Sequence, residues 1–106
     1  MSTVYRDDMA TQGAKPFFIR QKNGCEVLTD DRTQKIILSR SIAYVEDIEQ
    51  TLYSTRYYIK EGTGWVQVNN GQFYSSEEAF FSALRHSDAF TRAVREWENK
   101  DDMNGL

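Results

Sequence analysis

The chain predicts an α+β domain: an antiparallel sheet of two hairpin units, packed by a C-terminal helix. Three observations carry this. First, Phe17-Phe18-Ile19-Arg20-Gln21-Lys22-Asn23-Gly24-Cys25-Glu26-Val27-Leu28 is echoed by Tyr57-Tyr58-Ile59-Lys60-Glu61-Gly62-Thr63-Gly64-Trp65-Val66-Gln67-Val68. Each block has two aromatics, an isoleucine, a cation, a glycine-bearing turn and a second β-prone run. Second, both blocks alternate with the period of two that a strand requires. Third, Phe80, Ala83, Leu84, Phe90, Val94 and Trp97 recur at helical spacing.

At 106 residues the chain has the size of one domain. Residues 1–14 mix small and polar side chains without a period and predict a flexible lead-in; the domain spans 15–98, and 99–106 reads as a polar tail. Pro16 suits a strand start. Phe17 to Lys22 alternates as a strand, and Asn23-Gly24 signals a type I′ turn, which needs positive φ at both central residues. Cys25–Thr29 returns as the second strand. Asp30 to Thr33 turns the chain into a third, Lys35-Ile36-Ile37-Leu38.

The segment 41–55 supports two readings. Ile42, Val45 and Leu52 fit helical spacing, with Glu46, Asp47 and Glu49 mostly on the other side, so a short middle helix is predicted. Its β-branched and aromatic content also permits Leu52–Tyr58 to extend the next strand backwards. Asn69-Asn70-Gly71 then turns into a short strand, Gln72-Phe73-Tyr74. Ser75, three residues before Glu78, has the spacing of a capping box for the closing helix. Glu77 and Glu78 early, with Arg92 and Arg95 late, complement the helix dipole. Ser87-Asp88 interrupts the apolar stripe and predicts a break near His86.

Composition excludes several function classes. A net charge of −3 argues against a generally basic nucleic-acid binder. The single cysteine, Cys25, forms no internal disulfide and fits a reducing, cytoplasmic setting. No apolar run is long enough for a membrane span, so no membrane partner is expected. His86, the only histidine, has no nucleophile motif and no partner at helical spacing. Cys25 has no evident base beside it and reads as a small packing residue. Asp30-Asp31, Glu46-Asp47-Ile48-Glu49 and Asp101-Asp102 lack the ligand spacing of a metal loop and read as solvated charge. Gly62-Thr63-Gly64 is a hairpin turn, with no helix after it to hold a phosphate. The expectation is therefore no enzyme, no cofactor and no metal.

One surface stands out. If Ile19, Ile59, Val66 and Val68 face the core, alternation places Phe18, Arg20, Lys22, Arg56, Tyr58, Lys60 and Trp65 on the outer face. Aromatics with arginine make protein-interface hot spots. Rings interleaved with cations also suit single-stranded nucleic acid. The predicted partner-binding set is Phe18, Arg20, Arg56, Tyr58, Lys60 and Trp65. A protein partner is the first reading, a single-stranded nucleic acid the alternative, and a homodimer a third use of the same face.

Phe73-Tyr74-Ser75-Ser76-Glu77-Glu78-Ala79, following a Trp-bearing hairpin, resembles the ending of small bacteriophage and prophage proteins. In these a short aromatic strand passes through Ser-x-Glu-Glu-Ala into a closing helix. The resemblance covers roughly residues 57–86. It implies an accessory protein that binds host machinery, such as an anti-restriction or anti-CRISPR inhibitor, and it transfers no catalytic residue.

Overall fold

The computed structural model describes residues 17–69 and 71–104; the predicted lead-in, 1–14, lies outside them. The architecture is the expected α+β: a six-stranded antiparallel sheet and two C-terminal helices. The strands are β1 (Phe18–Gln21), β2 (Gly24–Leu28), β3 (Gln34–Val45), β4 (Ile48–Glu61), β5 (Gly64–Asn69) and β6 (Phe73–Tyr74). Strands β1 to β5 follow sequence order as a meander, and β6 joins β4 beyond the end of β5. The helices are α1 (Glu77–Leu84) and α2 (Thr91–Asn104), linked through a 3-10 turn at Asp88–Phe90.

The middle helix does not form. Residues 41–55 belong to the long β3–β4 hairpin, with Val45 paired to Ile48 across the turn. Glu46 and Asp47 both have positive φ, 52° and 66°, the left-handed pair whose twist matches a two-residue hairpin. Strand propensity and continuous pairing down to Gln34↔Ile59 prevail over the helical spacing of Ile42, Val45 and Leu52. The segment predicted as a polar tail begins inside α2, which continues to Asn104.

The first turn is also displaced. Gln21 pairs with Gly24, so Lys22-Asn23 forms the loop. Gly24 opens β2 with φ 146°, and a Cβ there would lie 1.8 Å from the Leu38 carbonyl oxygen. Glycine is required here by the close approach of β3, rather than by a type I′ turn.

One face of the sheet carries the helices. Cys25, Val27 and Leu38 lie beneath Phe80, Phe81 and Leu84 of α1, Phe90 of the 3-10 turn, and Ala93 and Val94 of α2. Phe81 is central: its ring stacks on Trp97 at 4.1 Å and meets Phe18 and Phe80 edge-on at 5.5 and 5.0 Å. Such offset and edge contacts add to the area term of aromatic burial. The cap of α1 is Ser76, whose hydroxyl accepts from the Ala79 amide at 3.0 Å, so the capping position falls one residue after Ser75. The predicted break at His86 is present: α1 ends at Leu84, and Ser87 precedes the 3-10 turn. Among the described residues no helix is long and apolar enough to cross a membrane.

Candidate functional site

Cross-strand partners share a face, so the register assigns the paired side chains, and alternation places Val68 at the β4–β5 bulge. Phe18, Val27, Ile36 and Tyr57 form one row, and Arg20, Cys25, Leu38 and Thr55 another, both on the helix-bearing face. Ile19, Glu26, Ile37 and Arg56 form a row on the opposite, outer face; Leu28, Lys35, Tyr58 and Gln67 form a second. Lys60 and its partner Trp65 continue the outer face.

The predicted six-residue surface is therefore split. Arg56, Tyr58, Lys60 and Trp65 lie together on the outer face. Phe18 and Arg20 lie on the other side, Phe18 against Phe81 and Arg20 bonded to Glu77. Ile19, expected in the core, is on the outer face. Ile59, Val66 and Val68 do share the helix side, but they lie beyond the helices and stay partly exposed.

The reason is topological. The echo is real at each turn: Gln21–Gly24 and Glu61–Gly64 close equivalent two-residue loops. In the meander, however, β1 and β4 run antiparallel. The second hairpin is thus the first turned over, and equivalent positions such as Ile19 and Ile59 point to opposite faces.

The outer patch is ordered by a charge that sequence reasoning did not assign to it, Lys35. Its ammonium lies 4.4 Å from the Trp65 ring centroid and 5.5 Å from that of Tyr58. It also bridges Glu26 at 3.2 Å. Lys60, the cross-strand partner of Trp65, lies 5.6 Å from the same ring centroid. Arg56 donates to Ser39 Oγ at 3.5 Å. Towards β1 and β2 the same face is buried at Glu26 and Leu28, whereas Arg56 and Lys60 are exposed and Tyr58 and Trp65 half-buried. The accessible part is thus a compact aromatic-cation patch at the β4–β5 end. Lys35 was detectable in principle, since a lysine in a central strand must find a partner for its charge.

On the helix side, Arg20 donates to both Glu77 oxygens, at 2.5 and 3.2 Å, and Trp97 Nε1 donates to the same carboxylate at 3.3 Å. The bonds to Glu77 raise the Arg20 pKa above its ordinary value, partial burial opposing them. This pair borders a cavity of about 370 Å³ that Lys22, Gly24, Arg40 and Tyr53 also line. A second cavity of about 470 Å³ opens between Ile36, Tyr57, Tyr74, Leu84 and Phe90. Its phenol groups are engaged, Tyr57 with Gln34 and Tyr74 with Gln72.

The residues weighed for chemistry remain apart. His86 is exposed just after α1, and Cys25 is fully buried in the core. Among the described residues no three His, Cys, Asp or Glu side chains converge as metal ligands. Comparison with protein families, curated proteins and solved structures finds no match to this chain.

Proposed function

We propose that the chain is a non-catalytic protein-binding module that docks through Arg56, Tyr58, Lys60 and Trp65. The supporting observation is the layering of Lys35 and Lys60 against Trp65 and Tyr58 on a paired part of the sheet. Rings held this way lose little side-chain freedom on binding, and Trp, Tyr and Arg are the side chains that dominate interface energetics. Arg56 and Lys60, exposed beside them, select an acidic partner surface and speed encounter with it. Phe18 and Arg20 take no part in this patch. The resemblance over residues 57–86 is what supports reading the partner as a host factor and the protein as a phage-type inhibitor.

The same cations weaken the nucleic-acid alternative. A base stacks on an open ring face, and here ammonium groups already crowd the Trp65 ring. The net charge of −3 opposes it further. Affinity capture from host lysate with the triple variant Arg56→Ala, Tyr58→Ala, Trp65→Ala tests the reading. Loss of a partner that the wild type captures, with the circular dichroism spectrum retained, is expected. Capture of the same proteins by both would overturn it. Oligonucleotide binding that falls steeply with salt would move the function to nucleic acid.

A further inference from the structure

Residues 41–52 form an arm. The pairing of β2 with β3 ends at Ser39, and that of β6 with β4 ends at Tyr53. Beyond these points β3 and β4 have only each other among the described residues. An isolated two-stranded ribbon is marginally stable in water, yet this one exposes Ile42 (56%), Tyr44 (68%), Val45 (49%) and Ile48 (63%).

Its β3 edge is prepared for another strand. Arg40 N–H donates outward to the Asn23 carbonyl at 2.6 Å. By alternation the N–H and C=O groups of Ile42 and Tyr44 point the same way, with no described strand to meet them. Ser41-Ile42-Ala43-Tyr44-Val45 contains no proline, no charge and no bulge, the usual protections of an exposed edge. The arm is also polar in charge along its length. Glu46 and Asp47 form its tip, while Arg40 and Lys22 stand at its base; among the described residues no ion pair joins any of the four.

We infer that the partner of this edge is a second copy of the chain, bound through antiparallel β3–β3 pairing about a two-fold axis near Tyr44. That operation keeps the helix-bearing faces on one side and sets Ala43 of each copy against Val45 of the other. With Ala43 set against Val45, Glu46 falls level with Ile42 of the opposite arm, two residues or about 7 Å along the strand from Arg40, so each acidic tip comes within side-chain reach of the basic base. A strand with acid at one end and base at the other is complementary to itself when reversed. Such an isologous contact closes as a dimer, because it uses the β3 edge of both copies. The inference is independent of the outer patch, which lies away from the arm on β4 and β5.

Sedimentation of the full chain across a micromolar concentration series tests it. The wild type is expected to dimerise. Tyr44→Pro removes one outward N–H and no β3–β4 bond, and should leave a monomer with unchanged circular dichroism. If that variant does not fold, charge reversal decides. Glu46→Lys with Asp47→Lys, and separately Lys22→Glu with Arg40→Glu, should each weaken self-association by about tenfold or more. An equimolar mixture of the two variants should restore the dimer, because both tip-to-base contacts are then attractive. A wild type that stays monomeric, a dimer indifferent to these substitutions, or a mixture that fails to recover would overturn the inference. Because Arg56, Tyr58 and Trp65 are untouched, partner capture through the outer patch is scored separately.

Discussion

Arg20 and Glu77 hold each other through two hydrogen bonds, 2.5 and 3.2 Å long, although 57 residues separate them. The pair fastens the edge strand β1 to the first turn of α1, where a carboxylate also suits the helix dipole. Trp97 donates to the same carboxylate, so β1, α1 and α2 meet at one acid. Arg20 is thereby a structural cation of the helix face, whereas sequence alternation had assigned it to the outer face.

A double-mutant cycle of Arg20→Ala and Glu77→Ala in urea should give a coupling of about 0.2–1 kcal/mol, the range for solvent-exposed ion pairs. The side chains are 49% and 21% exposed, which keeps the value well below that of a buried pair. Glu77→Ala should cost more than Arg20→Ala, because it also strips the Trp97 indole of an acceptor. Equal single costs with no coupling would mean that the contact contributes nothing to stability.

The glycines separate close approach from turn geometry. A Cβ at Gly24 would lie 1.8 Å from the Leu38 carbonyl oxygen, while at Gly62 (φ 61°) nothing lies within 4 Å. Gly62→Ala should therefore cost only the left-handed penalty, about 1–2 kcal/mol. Gly24→Ala must both hold an L residue at φ 146° and push β2 away from β3, and should cost clearly more. Thermal denaturation ranks the two, and the reverse order would refute the strand-approach explanation.

Much of the fold was legible in the residues themselves: the hairpins, the Trp-bearing β4–β5 unit and the break after α1 follow from period, glycine and proximity to Ser87. What escaped was relational. The outer grouping of Arg56, Tyr58, Lys60 and Trp65 follows from local alternation and holds. Adding Phe18 and Arg20 required knowing that the second hairpin is turned over, which no residue within either hairpin specifies. The Glu46-Asp47 turn was hidden because neither residue is the Asn or Gly that normally announces positive φ. Ser76 outcompeted Ser75 as cap because the helix starts one residue later than the Ser-x-x-Glu spacing implied.

Asp31 predicts a specific response to acid. Its carboxylate accepts from the Thr33 hydroxyl at 2.7 Å, the Thr29 hydroxyl at 2.8 Å and the Thr33 amide at 3.0 Å. These bonds lower its pKa, the Thr33 hydroxyl most of all. The folded value lies below the unfolded one, so the contribution of Asp31 to stability is present above the unfolded pKa. It is lost as pH falls through the folded pKa. A carboxyl NMR titration should place the midpoint below the ordinary aspartate value, and Thr33→Val should move it upward. A midpoint at or above the ordinary value would remove the turn from any account of acid stability.

The start of α1 offers a test in which two adjacent serines must differ. Ser76 has extended backbone (φ −159°, ψ 165°), and its hydroxyl takes the Ala79 amide at 3.0 Å. Ser75 precedes the cap and is exposed. Ser76→Ala leaves one N-terminal amide without its side-chain acceptor and should cost about 1 kcal/mol. Ser75→Ala should stay within about 0.5 kcal/mol of wild type, as for surface substitutions away from such features. Ser76→Asp should retain the cap, because a carboxylate both accepts the amide and meets the positive end of the helix, although Glu77 and Glu78 repel it. Urea midpoints measured on the three variants check the order. If Ser75→Ala is the costlier of the two alanine changes, the helix begins where the Ser75–Glu78 spacing placed it, and the Ser76 hydroxyl is not its cap.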